Sequence, residues 1–339
     1  MSLPPADIPL GAMRFNSESK RLEYWNGGDW FQISTFSSNL GGGARGCWAG
    51  GATPSNVNTI DYISIQSMGD ATNFGDLQYK ANRNAACASN IRGFWGGGAP
   101  AAPNTINDII FESTGDATDF GDMDNGFLYG AACSNDTRGI WALGDIGSGA
   151  NNKISYIKLT SSGAGLDFGD TTQARNRLGA FCSPTRGIFT GGYAPGNVDT
   201  VDYVQMSTLG NAFSFGNLIE ARHGCSGLSN SIRGITASGG GKATESHILA
   251  SGGHGVFWAD GGVNNADEYG GAFSDPTRGI FGGGNSVTNA ISMISFTTSG
   301  NWVDFGDLTE ARFGASGCSN GHGGLGGTLF GTGYRGNIS

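Results

Sequence analysis

The chain has 339 residues, of which 62 are glycine, and 14% are charged where about 25% is usual. Its formal net charge of −9 provides no basic stripe to neutralise phosphates, which argues against a nucleic-acid partner. No run of about 18 apolar residues occurs, so no membrane insertion is expected. Hydrophobic residues make up 38% of the chain, and together with so much glycine they predict many short strands joined by tight turns.

The N-terminal stretch is predicted to form a hairpin within 10–33. It opens with MSLPPADIPL, which lacks a basic region followed by an apolar run, so no secretory signal is expected. In RLEYWNGGDWFQI, from Arg21, two strand-like segments flank Asn26-Gly27, a dipeptide typical of hairpin turns.

A repeat of about 47 residues occupies the rest of the chain. Its first marker is Arg-Gly, at Arg45, Arg92, Arg138, Arg186, Arg233 and Arg278. Its second is an aromatic residue, followed in most copies by Gly-Asp, at Phe74, Phe120, Phe168, Phe215, Trp258 and Phe305. Two markers that keep phase indicate a repeat architecture. A single domain over 1–339 is predicted, with repeats at approximately 34–77, 83–122, 127–170, 177–217, 222–260, 268–307 and 312–333.

Each repeat is predicted to contain four short strands. In the fourth repeat they are RLGAFCSP from Arg177, RGIFTGG from Arg186, TVDYVQMS from Thr200 and NAFSFGNL from Asn211. Clusters of Gly, Pro, Asn and Ser separate them, as turns require. The predicted fold is therefore all-β, a β-propeller of four-stranded antiparallel blades, in which paired glycines allow close backbone approach.

With these features the chain resembles the kelch repeat family. The matching features are an Arg opening the first strand, a double glycine, a Tyr-bearing strand and a closing aromatic–apolar pair. They lie at Arg83, Arg177, Arg222 and Arg312, at Tyr62, Tyr156 and Tyr203, and at Phe74/Leu77, Phe215/Leu218 and Phe305/Leu308. The fourth strand mostly has Phe where the family has Trp, and the fifth unit has His247 where Tyr is expected. The resemblance implies a propeller and no single activity.

Two closures of the ring fit the ends of the chain. The favoured one has seven blades, in which two strands from 21–33 and two from 312–333 form a closing blade shared by both termini. This arrangement leaves no free sheet edge. The alternative has six blades and a separate N-terminal hairpin.

The cysteines are expected to be buried free thiols. Cys87, Cys133, Cys182 and Cys318 hold similar places in their repeats. Equivalent positions of neighbouring blades are about 10 Å apart, too far for a disulfide. Free thiols agree with folding in a reducing cytoplasm.

Neither a cofactor nor a metal site is predicted, and the chain is expected not to be an enzyme. His247 and His254 make a metal site conceivable but are interpreted as surface or turn histidines of a degenerate blade. Asp116, Asp119 and Asp122 lack EF-hand spacing and are interpreted as turn-capping residues rather than calcium ligands. No GxSxG or HExxH motif occurs.

The Arg-Gly arginines and the aromatic markers are assigned structural roles. Each repeat carries an Asp near its fourth strand, so an Arg–carboxylate bridge between neighbouring units is predicted, with a cationic ring as the alternative.

The loops after the double glycines differ between repeats and are expected to project from one face. A constant frame that presents variable loops is how propellers form binding faces, and drift in unconstrained loops is the alternative explanation. The candidate binding residues are Thr53, Asn56, Pro100, Asn104, Asn151, Tyr193, Asn197, Lys242 and Asn285.

A second resemblance concerns IPLGAMRFNSESKRLEYWNGGDWFQI, which is similar to a hairpin module of bacteriophage tail-fibre and virion proteins. The repeats also resemble proteins of marine phages, including cyanophages. The resemblance implies a virion structural protein made in the host cytoplasm, with other virion proteins as partners and attachment to a host receptor or glycan as its function. Capsid decoration or a tail adaptor is the architectural alternative. A kelch-type oxidase or carbohydrate-active enzyme is the alternative of another class, and homo-oligomerisation stays open.

Overall fold

The structure is a computed structural model that describes residues 8–16, 21–33, 44–260 and 268–325. It divides into two compact units, Met1–Gly41 and Gly42–Ser339. The regular elements of the described residues are all β-strands. Among these residues there is no long apolar helix of the kind that crosses a membrane.

The first unit contains a three-stranded antiparallel sheet in the order β1–β2–β3. Its strands are β1 (Met13–Asn16), β2 (Arg21–Trp25) and β3 (Trp30–Ile33). Between β2 and β3, the Asn26 side chain accepts hydrogen bonds from the amides of Gly28 and Asp29. The predicted turn at Asn26-Gly27 is therefore confirmed, within a sheet of three strands rather than two.

The second unit contains six four-stranded antiparallel sheets and a two-stranded ribbon. Its strands are β4 (Arg45–Ala49), β5 (Ala52–Thr53), β6 (Ser55–Asn56), β7 (Thr59–Ser64), β8 (Thr72–Asp76), β9 (Ala85–Ala88), β10 (Arg92–Gly96), β11 (Thr105–Ile110), β12 (Thr118–Asp122), β13 (Ala131–Ser134), β14 (Arg138–Ala142), β15 (Lys153–Lys158), β16 (Leu166–Asp170), β17 (Gly179–Cys182), β18 (Arg186–Thr190), β19 (Val198–Gln205), β20 (Phe213–Arg222), β21 (Ser226–Ser229), β22 (Arg233–Ala237), β23 (Thr244–Ile248), β24 (Val256–Ala259), β25 (Gly271–Ser274), β26 (Arg278–Gly282), β27 (Ala290–Ser295), β28 (Val303–Asp307) and β29 (Ser316–Ser319).

We call the four-stranded sheets blades 1 to 6 and name the strands of each blade A to D from the axis outward. Blade 1 consists of β29, β4, β7 and β8, and blades 2 to 6 take β9 to β28 in chain order. Strand A of every blade contacts strand A of both neighbouring blades. The six blades therefore form a closed ring around one axis.

Backbone hydrogen bonds next to the axis complete the same ring. Six N–H···O=C bonds of 2.6 to 3.2 Å run from blade to blade in a closed cycle. We call the residues that make them the mouth ring, which consists of Arg83, Tyr129, Arg177, Gly224, Tyr269 and Gly314.

The predicted class, an all-β propeller of four-stranded antiparallel blades, is confirmed. Its ring has six blades, as in the alternative closure, and the favoured seventh blade is not formed by the described residues. Segment 21–33 pairs with β1, whereas β29 pairs with β4 and provides strand A of blade 1. This pairing covers the inner edge of β4, so no edge remains for another blade. Residues 34–43 and the strand predicted from Thr328 lie outside the described residues.

The glycine of each Arg-Gly pair lets neighbouring blades approach at strand B. A Cβ on Gly139 would lie 2.8 Å from Cys87 Sγ of the preceding blade, and one on Gly187 would lie 2.9 Å from Cys133 Sγ. A Cβ on Gly279 would overlap Leu228 in the same way. All six cysteines are buried free thiols, as predicted, and three of them fill this position.

We expect Gly279→Ala to lower the free energy of unfolding by about 1–3 kcal/mol, because the added methyl group would clash with the side chain of Leu228 in the neighbouring blade. Combining it with Leu228→Ala should destabilise less than the sum of the two single changes, since the second change removes the clash. Urea unfolding of the four proteins in this cycle measures the coupling. Strict additivity would contradict the proposed contact.

The aromatic markers lie between the blades. All six are buried, with exposed fractions of 2% to 7%. The acidic run around them links blades as well, since Asp116 Oδ1 accepts a hydrogen bond from the amide of Asp76 and Asn211 Oδ1 accepts one from Asp170, both at 3.0 Å. Asp119 Oδ1 accepts the amide of Gly121 at 2.9 Å. The side-chain oxygens of Asp116, Asp119 and Asn211 thus accept hydrogen bonds from backbone amides within and between blades.

The Arg-Gly arginines join blades through backbone carbonyls rather than carboxylates. Arg138 Nη1 donates to the carbonyl of Met206 in the next blade at 3.0 Å. The equivalent bonds are made by Arg45, Arg186 and Arg278. Arg92 pairs with Asp108, and Arg233 bonds Ser246, both within their own blade. The predicted carboxylate bridge between units is therefore wrong, because the guanidinium groups that cross to the next blade bond to the carbonyls after strand C.

A different set of arginines makes buried ion pairs with carboxylates of strand C. Arg175 pairs with Asp202 at 2.8 Å in blade 4, and neither side chain is exposed. The same arrangement is formed by Arg222 with Glu245 in blade 5 and by Arg312 with Asp61 in blade 1. Arg175 and Arg312 lie in the segments that enter strand A, whereas Arg222 is the last residue of β20, shortly before strand A of blade 5. Each carboxylate lies in strand C.

Blade 2 has an uncharged version of this arrangement. Ala81 and Asn107 stand at the positions of the arginine and the carboxylate. The hydroxyl of Tyr79 lies 3.3 Å from the carbonyl oxygen of Gly97 and 3.1 Å from that of Thr105. In blade 1 the equivalent carbonyls accept hydrogen bonds from the guanidinium of Arg312. The same pair of backbone carbonyls is therefore hydrogen-bonded by a tyrosine hydroxyl in blade 2 and by an arginine guanidinium in blade 1.

His247 is buried rather than at the surface or in a turn. It lies in strand C of blade 5 opposite Gly234, between the rings of Phe181 and Phe215, and is 2% exposed. The register places Ser246, not His247, at the Tyr position. The equivalent residues of the other blades are Ile63, Ile109, Ile157, Val204 and Ile294.

Candidate functional site

The variable loops and the mouth ring lie on the same face of the propeller. Strands alternate in direction within a blade, so the start of strand A, the loop from B to C and the end of strand D share one side. We call this side the loop face. The prediction that the loops project from one face is therefore confirmed.

An axial cavity of about 110 Å³ lies inside the mouth ring and is lined by the first residues of the six A strands. At the opposite face, residues 321–325 cross the axis. The amide of Gly323 donates to the carbonyl of Ser229, and His322 Nε2 lies 2.8 Å from the carbonyl oxygen of Ala88. This segment covers the axis at the face opposite the mouth.

Four side chains of the mouth ring converge beside the cavity. Arg83 lies 5.0 Å above the ring of Tyr129, and Arg177 lies 4.9 Å from that same ring. Tyr129 and Tyr269 are 6.3 Å apart between ring centroids, and Arg83 also lies 5.8 Å from Tyr269. Burial raises the pKa of Tyr269 to about 12, so its phenol keeps its proton at neutral pH and can donate a hydrogen bond.

The two arginines of the mouth have no carboxylate partner within the described ranges. Their Nε atoms are buried and lack hydrogen-bond acceptors there. The acidic residue of the rim is Glu268, whose Oε1 lies 3.8 Å from His223 Nε2. The mouth thus holds unsatisfied cationic donors in a chain whose net charge is −9.

The backbone of the mouth ring is left-handed at every position. The φ angles are 56° at Arg83, 54° at Tyr129, 59° at Arg177 and 57° at Tyr269. Glycine fills the two remaining positions, 224 and 314, with φ angles of 65° and 72°. A side chain in this region costs roughly 1–2 kcal/mol, so glycine would suit all six positions for folding alone. Strain of this kind points to a functional role for the four side chains.

Short backbone bridges fix the loops beside the mouth. In four blades the start of the loop after the double glycine pairs with the residue that precedes a mouth residue. These bridges are Ala52–Phe313, Asn82–Ala99, Leu128–Asp145 and Asn176–Tyr193. The loops therefore begin at the rim of the axial cavity.

One predicted binding residue, Tyr193, contacts the mouth ring, and two others, Asn197 and Asn56, contact residues next to it. Tyr193 lies 5.4 Å from Arg177 and 5.7 Å from the ring of His223, and Asn197 Oδ1 lies 2.7 Å from His223 Nδ1. Asn56 bonds Asn82, the neighbour of Arg83, at 2.9 Å.

The other predicted binding residues lie on the loop face, and the contacts described for them are with residues outside the mouth ring. Asn104 and Asn151 donate to the carbonyls of Met123 and Gly144. Lys242 pairs with Glu220 at 2.8 Å, and the Asn285 amide donates to the carbonyl of Glu268. Thr53 pairs with Ser55 in the ribbon of β5 and β6, and Pro100 is exposed. Binding by any of these residues stays a prediction.

Roles for Tyr129, Arg175 and Tyr269 were not predicted from the sequence. Arg83 and Arg177 were predicted to be equivalent to Arg222 and Arg312, but in the structure the first two lie two residues later in the repeat than the other two. The segment QARNR contains both positions, Arg175 for the ion pair and Arg177 for the mouth. The presence of two arginines in this one segment indicated that arginine has two separate roles in the repeat.

No protein-family model matches the chain, and the search of curated proteins found no similar sequence. Of the described residues, no three His, Cys, Asp or Glu side chains are grouped as a metal site requires.

Proposed function

We propose that this chain is a virion β-propeller that attaches to the host cell surface through its loop face. The observation that carries the proposal is the mouth, where Arg83, Arg177, Tyr129 and Tyr269 surround a cavity at the centre of that face. These side chains occupy backbone positions better suited to glycine, which supports a role for them beyond folding. The similarity of the N-terminal hairpin to tail-fibre modules and of the repeats to phage proteins supports the virion context.

Adsorption competition tests this function. We expect the purified chain in excess to slow adsorption of the phage that encodes it, because soluble and virion-borne copies compete for the same receptor. The double variant Arg83→Gly/Arg177→Gly should compete far less. Lys158→Met removes a charge at the end of strand C, on the opposite face, and should compete like the wild type.

An architectural role, as capsid decoration or tail adaptor, makes the opposite prediction. In that case an excess of the wild-type chain leaves adsorption unchanged, and the double variant behaves identically. That result would overturn the attachment proposal.

A further inference from the structure

We propose that the mouth binds an oxyanion group, a carboxylate, sulfate or phosphate, through Arg83 and Arg177. The carrier would be an acidic saccharide of the host surface, and for that carrier the inference rests on the proposed attachment function. Anion binding by the purified chain is a separate property and can be measured without a phage or a cell.

The unused hydrogen-bonding capacity of the two arginines is the first argument. A guanidinium has five N–H donors arranged to match carboxylate, sulfate or phosphate oxygens. Arg83 makes one long contact, 3.4 Å to Asn82 Oδ1, and Arg177 makes no side-chain hydrogen bond or ion pair within the described residues. A buried donor without a partner is costly, and an oxyanion would satisfy both groups.

Position is the second argument. Both guanidinium groups stack on the ring of Tyr129, and both arginines line the region beside the axial cavity. The Tyr269 hydroxyl is protonated and adds a neutral donor to that region. The cavity of about 110 Å³ has space for the anionic group and for part of the sugar that carries it.

The comparison between blades is the third argument. Gly224 and Gly314 show that the mouth ring closes without side chains at two of its six positions. The chain nevertheless holds Arg83 and Arg177 in the same left-handed backbone conformation. Glycine adopts this backbone conformation at a lower cost, which supports a ligand-binding role for the arginines in addition to their stacking on Tyr129.

The surrounding charges define a further test residue. The ionisable side chains around the two arginines are those of Tyr129, Tyr193, His223, Glu268 and Tyr269. Glu268 is the carboxylate of this set, and its charge opposes an anion. Glu268→Gln should therefore tighten anion binding about two- to fivefold.

Calorimetric titration of the purified full chain with sodium glucuronate, sulfate and phosphate tests the proposal, with glucose as the neutral control. We expect at least one of the three anions to bind, glucose not to bind, and affinity to fall as sodium chloride increases. Arg83→Gly/Arg177→Gly should lose at least about tenfold in affinity. Its melting temperature should be unchanged or higher, because glycine relieves the left-handed strain. Lys158→Met is the control for loss of a positive charge elsewhere.

Which anion binds identifies the source: glucuronate indicates a carboxylated saccharide, whereas sulfate or phosphate alone indicates a sulfated or phosphorylated one. The proposal is overturned if none of the anions binds, or if the double variant binds as tightly as the wild type. Anion binding without competition for adsorption would reject the attachment function and leave the oxyanion site in place.

Discussion

Arg175→Ala is expected to lower the free energy of unfolding by about 3–5 kcal/mol. The change leaves Asp202 buried without its cationic partner, since both side chains of this 2.8 Å pair are inaccessible to solvent. Thr172 would still donate to Asp202 through its amide and its hydroxyl, but neither group neutralises the charge. Urea unfolding followed by tryptophan fluorescence measures the loss.

Blade 2 provides the matched rescue for this variant. The triple change Gln173→Tyr/Arg175→Ala/Asp202→Asn recreates in blade 4 the uncharged arrangement of Tyr79, Ala81 and Asn107. It should recover most of the lost stability, because no buried charge remains and the tyrosine hydroxyl reaches the same carbonyls. Lys242→Met breaks an exposed pair and should change stability by less than about 1 kcal/mol. A triple variant no more stable than Arg175→Ala would contradict the equivalence of the two arrangements.

His247→Ile is expected to stabilise the protein and to remove part of its sensitivity to acid. Burial, with a smaller contribution from Arg222, lowers the pKa of His247 to about 4, from 6.5 in the unfolded chain. Above pH 6.5 both states are neutral and the wild type has its full stability. Between pH 6.5 and about 4 only the unfolded chain takes up the proton, so stability falls with pH, by roughly 3 kcal/mol in total.

Four of the other five blades have isoleucine at the position equivalent to 247. The substitution also removes two buried ring nitrogens, which have no well-formed hydrogen bonds in the described part of the chain. We expect a gain of about 1–3 kcal/mol at pH 7. The measurement is the difference in unfolding free energy between wild type and variant at pH 7.5, 6, 5 and 4.5, which cancels the other titrating groups. That difference should widen as the pH falls, and a constant difference would show that His247 titrates normally in the folded protein.

Local features of the fold could be predicted from sequence because they depend on neighbouring residues. The four strands of the fourth repeat lie where Arg186 and Phe215 indicated, since strand alternation and glycine turns act over a few residues. The register was harder, because side chains on a strand alternate with a period of two. A shift of one residue placed His247 at a half-buried Tyr position, whereas the structure puts it on the fully buried side.

The long-range pairings were not predictable in the same way. Strand β29 was predicted to share a closing blade with 21–33. It pairs instead with β4, where Ser319 lies opposite Gly46, a residue far away in the sequence. The predicted bridge from each Arg-Gly arginine to an Asp near a fourth strand also failed, since Arg138 reaches a carbonyl of the next blade instead. In both cases several partners had suitable chemistry, and only packing around the axis selected one.

The sequence by itself determined the repeat, the strands within it and the side from which the variable loops project, because these follow from patterns within about 47 residues. The tertiary structure decided the number of blades and the mouth. Arg83, Tyr129, Arg177 and Tyr269 lie in different repeats, and no local pattern brings them together. They meet because six blades place equivalent left-handed residues around one axis, where a closed cycle of backbone hydrogen bonds holds them.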